Sequence, residues 1–209
     1  MPKPDFNLLL VTDRTQTRGR SLLWIVEQAL DGGVRAIQLR EKDLGGRDLF
    51  LLAEKVSKLC QTYQSALFIN ERIDIALAVD AAGVQLGSAS VHVEIARQLL
   101  GADKMIGLSI HSLGETLEAQ GCGADFVLFG PVYFTPSKAV YGAPQGLNTL
   151  KEIVEKIELP VYAIGGIKAE NILDAKHAGV FGVALISAIV NADDPKAATK
   201  DLLKSMVNG

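Results

Sequence analysis

Cysteine is scarce in this chain. Cys60 and Cys122 are the only two among 209 residues, and neither belongs to a CxxC pair. That excludes a disulfide-stapled scaffold and a zinc site built from cysteines, and it fits a reducing cytoplasm. An excess of one charge is missing too. With 21 Lys and Arg against 24 Asp and Glu, the net charge is −3, so the concentrated basic surface that nucleic-acid binding requires is absent. Long apolar runs are lacking as well: the best candidate, Ser21 to Leu30, is broken by Glu27 and Gln28, so no bilayer-crossing segment is expected. Met1-Pro2-Lys3-Pro4-Asp5 leads straight into an apolar strand without the long hydrophobic region of a signal peptide. A soluble cytoplasmic protein with no membrane partner is the expectation.

What the chain has is the material of a core. Hydrophobic residues make up 48% and charged residues 22%, as in globular proteins generally. A single domain of this length buries roughly 70% of its unfolded surface. Strand-length apolar runs alternate with stretches of helical period almost from end to end. Strands are expected at Asn7–Thr12, Ala36–Arg40, Ala66–Asn70, Gly83–Leu86, Met105–Ser109, Phe126–Phe129, Val161–Ile164 and Gly182–Ile186. The helices that follow them are expected at Leu22–Asp31, Arg47–Tyr63, Ile73–Val79, Val91–Leu100, Leu113–Gln120, Leu147–Lys156, Asn171–His177 and Lys196–Val207. Small residues such as Gly32-Gly33, Gly121-Cys122-Gly123 and Ala178-Gly179 separate helices from the next strand. Such alternation makes a parallel sheet with right-handed crossovers. The turn after the first strand, Asp13 to Arg20, has no GxGxxG, which argues against a doubly wound sheet. Eight equal units with no linker left over predict one (β/α)₈ TIM barrel spanning residues 1–209.

In a barrel of this kind the chemistry lies where strands end at their C-terminal face. After strand two, Gln38, Arg40 and Lys42 fall on one side at a spacing of two. They suit an anionic substrate, with carboxylate pairing of Arg40 and Lys42 as the alternative. After strand three, Asn70 suits a ring amide or nitrogen and Glu71 a hard cation such as Mg²⁺. Helix capping by Asn70, with Glu71 at the positive end of the next helix, is equally open. After strand five come Ser109, His111 and Ser112. His111 has no acidic or cysteine partner beside it and reads as a residue of the cap region, while His92 and His177 lie on expected helices away from the mouth. A loop of about sixteen residues follows strand six; its Thr135, Ser137 and Lys138 place two hydroxyls and an ammonium where a diphosphate can be clamped. Gly165-Gly166 after strand seven and Ser187 after strand eight mark the usual phosphate position of the fold.

With these residues in view, the chain resembles the thiamine-phosphate synthase family over nearly its whole length. The segments that carry the resemblance are Val11-Thr12-Asp13, Gln38-Leu39-Arg40-Glu41-Lys42, Ile69-Asn70, Ala82 to Gly87, His111-Ser112-Leu113, Phe129 to Val132, Thr135 to Lys138, and Ala163 to Ile167. The resemblance implies transfer of a hydroxymethylpyrimidine group from its diphosphate to a thiazole phosphate, assisted by Mg²⁺, with thiamine phosphate and pyrophosphate as products. It implies that Gln38, Arg40, Lys42 and Asn70 hold the pyrimidine diphosphate, with Lys138 on the diphosphate and Ser109 near the reacting pyrimidine. Thr135 and Ser137 would lie beside the thiazole phosphate, and Gly165, Gly166 and Ser187 would form the product-phosphate site. Ser109 and Lys138 are thus the expected catalytic pair. The partners are small phosphorylated heterocycles, with homo-oligomer formation left open.

Three positions depart from the family pattern. Glu71 stands where Asp is usual, Gly87-Ser88-Ala89-Ser90 lacks the usual acidic metal ligand, and Gln85 replaces a histidine. The sister thiazole tautomerases share the barrel and lack those metal ligands, but they carry a proton-transferring histidine after Phe-Gly of strand six; here that residue is Pro131, as in the synthases. The alternatives are therefore a tautomerase-like enzyme and a non-catalytic binder of thiazole or thiamine phosphate.

Overall fold

A computed structural model describes residues 3–135 and 143–207. Eight short strands alternate with helices: β1 (Leu8–Val11), β2 (Ala36–Leu39), β3 (Ala66–Asn70), β4 (Gly83–Leu86), β5 (Met105–Ile110), β6 (Phe126–Phe129), β7 (Val161–Ile164) and β8 (Gly182–Leu185). All neighbours are parallel, and β8 returns to pair with β1, Leu8 opposite Val183, so the sheet closes in the order β1 to β8. The expected (β/α)₈ barrel is what the chain forms. β3, β4, β6 and β7 begin and end where the apolar runs do; the other four differ by one residue at one or both ends.

The helices are α1 (Leu22–Gly32), α2 (Gly46–Thr62), α3 (Ile73–Ala78), α4 (Val93–Leu100), α5 (Leu113–Gly121), α6 (Gly146–Lys156), α7 (Ile172–His177), α8 (Ser187–Val190) and α9 (Pro195–Val207). Among the described residues two elements escape the periodicity reading. One is a 3-10 turn at Arg14–Gln16, nucleated by the Asp13 carboxylate accepting from Thr15 N; the other is the single-turn α8. Both are too short for an apolar face to repeat. Among the described residues no helix is long and apolar enough to cross a membrane.

Strand alternation divides the core in two. Outward residues such as Leu8, Leu10, Ile37, Leu39, Val84 and Val127 pack under the helices. Inward residues fill the barrel itself, where Phe6, Phe68, Phe126 and Tyr162 form a cluster with ring centroids 5.3–6.0 Å apart. The Tyr162 hydroxyl donates to the Phe6 carbonyl at 2.5 Å, and burial pushes its pKa far up. This aromatic plug closes the lower barrel. The rim formed by the strands' C-terminal ends lies at the other end of the barrel.

Candidate active site

The first element of that rim is anchored by a buried polar relay. Thr12, directly after β1, is fully buried, and its hydroxyl donates to Glu41 Oε1 at 2.6 Å while accepting from Arg40 N at 2.9 Å. Glu41 Oε2 accepts from Arg14 N at 3.0 Å and lies 3.7 Å from Arg14 Nε. Burial raises the Glu41 pKa, against the lowering effect of the Thr12 and Arg14 hydrogen bonds. The effect is to fix the backbone between β2 and α2, so that Arg40 and Lys42 alternate with the buried Glu41. Arg40 also lies close enough to Asp13 to act on it. Burial raises the Asp13 pKa, but hydrogen bonds from Thr15 and Gln16 and the Arg40 charge together hold it below the usual value.

A layer of amides sits above the aromatic plug. Gln38 on β2 donates from Nε2 to Asn70 Oδ1 on β3 at 3.0 Å, and Gln85 on β4 donates from Nε2 to Ser109 Oγ on β5 at 3.1 Å. Register places Asn70 opposite Gln85, so the two pairs adjoin. Asn70 is therefore held by Gln38; the cap position of α3 falls to Arg72, without a side-chain cap bond. Gln38 Oε1 and Gln85 Oε1 are buried without a hydrogen-bond partner among the described residues.

A cleft of about 230 Å³ opens beside this layer between the β2–α2 and β3–α3 loops, lined in part by Glu41, Lys42, Asn70, Glu71 and Arg72. Lys42 Nζ lies 3.5 Å from Glu71 Oε1. Glu71 has φ +62°, an uncommon backbone for a glutamate. Its Oε1 would be 3.2 Å from a Cβ on Gly87, and Ser90 Oγ, 3.9 Å from the same point, accepts from Gly87 N at 2.8 Å. Among the described residues no three His, Cys, Asp or Glu side chains gather as a metal cage. A carboxylate and a hydroxyl on either side of Gly87 suit Mg²⁺ held mainly by waters and a substrate's phosphates, which needs few protein ligands.

On the opposite side of the rim, the start of the β6–α6 loop lies against the β7–α7 loop. The Gly130–Pro131 peptide is cis; Val132 N donates to Ile164 O at 2.9 Å and Tyr133 N to Gly165 O at 3.0 Å. Gly165 and Gly166 have φ +95° and +67°, and a Cβ on them would stand 2.6 Å from Pro131 Cα and 2.7 Å from Tyr133 Cβ. The glycine pair is thus required by loop packing as well as by any phosphate it receives. Thr135 is partly exposed on this loop, whereas Ser137 and Lys138 lie outside the described residues. Ser187 is exposed at the start of α8, on the same rim. His111 precedes the Ser112 cap of α5, its Nδ1 paired with Gly130 O at 2.5 Å, so it serves the junction between strands. His92 occupies the cap position of α4, which begins at Val93 rather than at the expected Val91.

Gln38, Arg40, Lys42, Asn70, Glu71 and Ser109 are thereby brought to one arc of the rim, and Gly165, Gly166 and Ser187 to the strand ends beyond β6. Sequence reasoning gave Thr12 and Glu41 no role beyond their place in the shared segments and treated Gln85 only as a departure from a pattern. The available signal was parity: Gln85 is an inward position on a strand whose neighbours are apolar.

Known proteins provide an independent comparison. The family model described as thiamine monophosphate synthase matches residues 8–189. A protein of Geobacter sulfurreducens is 51% identical over 203 residues, covering 97% of this chain and 95% of the relative. The thiamine-phosphate synthase of Clostridium novyi is 46% identical over 198 residues, covering 95% of this chain and 97% of the relative. The solved structure of thiamine phosphate pyrophosphorylase from Pyrococcus furiosus superposes with a TM-score of 0.89 at 38% identity, covering 98% of each chain.

Proposed function

The chain belongs to the thiamine monophosphate synthase family, and we propose that it is a transferase joining hydroxymethylpyrimidine diphosphate to thiazole phosphate. The observation that carries this reading is the amide layer. Gln38 Oε1 is a buried acceptor with no partner among the described residues, its amide turned by the bond to Asn70. Such an oxygen calls for an N–H donor, which an aminopyrimidine ring supplies.

In this reading the bond from the exocyclic methylene carbon to the diphosphate oxygen breaks, and the diphosphate leaves with the electron pair. The thiazole nitrogen donates its lone pair to that carbon, forming the new C–N bond. The electron-rich ring supports positive charge on the methylene, so no strong general base is needed. The protein's work is to position two rings and stabilise the departing charge. Arg40 and Lys42 face the diphosphate, with Lys138 assigned there by the resemblance. Gln38, Asn70 and Ser109 hold the pyrimidine. Thr135, Ser137, Gly165, Gly166 and Ser187 receive the thiazole phosphate. Mg²⁺ is assigned to Glu71 together with the diphosphate oxygens, where it would neutralise leaving-group charge. Pro131, packed on Gly165, offers no proton-transfer group at the position where the tautomerases have one, which supports synthesis over tautomerisation.

The test is direct. Purified protein with both substrates and Mg²⁺ is expected to form thiamine phosphate and pyrophosphate in equal amounts, and chelation of the metal is expected to suppress the reaction. Conversion of the thiazole tautomer alone, without coupling, would replace this reading by the tautomerase.

A further inference from the structure

Gln85 combines three observations that the reaction above does not use. It points into the barrel, is 1% exposed, and donates from Nε2 to Ser109 Oγ at 3.1 Å. The same nitrogen lies 3.5 Å from the Leu86 carbonyl, a group that only accepts, which favours this orientation of the amide over its flip. Its other end, Oε1, occupies the slot that Gly107 leaves open. A Cβ on Gly107 would stand 2.2 Å from that oxygen and 2.4 Å from Phe126 Cζ. The oxygen is buried there without a partner among the described residues. An unpartnered buried acceptor costs stability, so this arrangement is a poor choice if the side chain only fills space.

We propose that Gln85 is a positioning residue that sets the direction of the Ser109 hydroxyl, presenting its proton to the ligand and thereby selecting a heterocycle with a hydrogen-bond acceptor at that point. The inference rests on the reading above, in which Ser109 faces the pyrimidine. A serine hydroxyl has one proton and two lone pairs. Because Gln85 Nε2 can only donate, it fills a lone pair of Oγ and leaves the Ser109 proton no acceptor on that side. The proton is turned toward the mouth, where a ring nitrogen accepts it. A carboxylate at position 85 would do the reverse: Ser109 would donate into the barrel wall and show the ligand only a lone pair. Gly107 is part of the device, since any side chain there would evict the amide oxygen from its slot.

The experiment compares Gln85→Leu, Gln85→Glu, Ser109→Ala and the Gln85→Leu/Ser109→Ala double variant in the synthesis assay, with thermal melts to verify folding. Gln85→Leu and Ser109→Ala are each expected to lower kcat/KM for the pyrimidine diphosphate roughly tenfold or more, leaving KM for the thiazole phosphate unchanged. The double variant is expected to be no worse than Ser109→Ala alone, because the amide acts through the hydroxyl. Gln85→Glu is expected to be the most impaired of the single variants at pH 8, since a carboxylate takes the Ser109 proton instead of donating to its oxygen. Multiplicative losses in the double variant would overturn the proposal, as would a folded Gln85→Glu no more impaired than Gln85→Leu. A wild-type protein that forms no thiamine phosphate would overturn the underlying reading, and this one with it.

Discussion

Replacing Glu41 with alanine should reveal how far the basic rim depends on a side chain that does not itself face the ligand. The Glu41 side chain is only 2% exposed, and it accepts from Thr12 Oγ1 at 2.6 Å and Arg14 N at 3.0 Å. Each hydrogen bond to a charged group is worth about 1.5–3 kcal/mol, and a buried donor left alone costs about 1–3 kcal/mol. Against this, the substitution relieves the desolvation that raises the Glu41 pKa, so the net loss should be about 2–4 kcal/mol. A domain with 5–15 kcal/mol in hand stays folded after that loss. Urea unfolding at pH 7 measures it, and the Thr12→Val/Glu41→Ala cycle should show a coupling above about 1 kcal/mol. A loss under about 1 kcal/mol with no coupling would refute the relay. Glu41→Gln adds a pH signature. Because the folded pKa is raised, the part of the carboxyl's contribution that depends on its proton is complete below the ordinary glutamate value of 4.5 and is lost as pH rises through the folded value, while the Thr12 and Arg14 hydrogen bonds persist in the charged form. The wild type's advantage over the Glu41→Gln variant, which cannot titrate at this position, should therefore shrink as pH rises from about 4.5. An advantage that grows would contradict the burial argument.

Three further substitutions separate site from scaffold. Lys42→Ala removes the partner of Glu71 at 3.5 Å on a half-exposed pair; stability should change by less than about 1 kcal/mol, while KM for the diphosphate substrate rises about tenfold in steady-state assays. Gly166→Ala places a Cβ 2.7 Å from Tyr133 Cβ at φ +67°. It should cost about 1–3 kcal/mol and weaken thiazole phosphate binding by calorimetry more than diphosphate binding. Asp125 accepts from Ile106 N at 2.7 Å and pairs with Arg97 at 2.5 Å, at the barrel end away from the rim. Asp125→Ala should cost about 3–5 kcal/mol by leaving Arg97 without its counter-charge and Ile106 N without an acceptor, yet leave kcat/KM of the folded protein intact.

Much of this molecule is written in local periodicity. Apolar runs such as Phe126–Phe129 and Val161–Ile164 are strands at those residues, because parallel barrel strands are buried on both faces and must be apolar throughout. Counting eight such units was enough for the architecture, and the architecture then marked Gln38, Arg40, Asn70 and Gly166 as rim residues by position alone. Pairing is a different matter. Thr12 meets Glu41 across 29 positions, and Gln85 meets Ser109 across 24. Nothing in the spacing of either pair distinguishes a bond from a coincidence. Whether Asn70 caps a helix or receives an amide depended on barrel shear, which set it opposite Gln85 and within reach of Gln38. The sequence by itself determined the ring of strands and which side chains face inward, because alternation is a property of each strand alone. The tertiary structure alone decided which inward groups bond one another and which acceptors stay open, because those contacts come from the closure and stagger of the whole barrel.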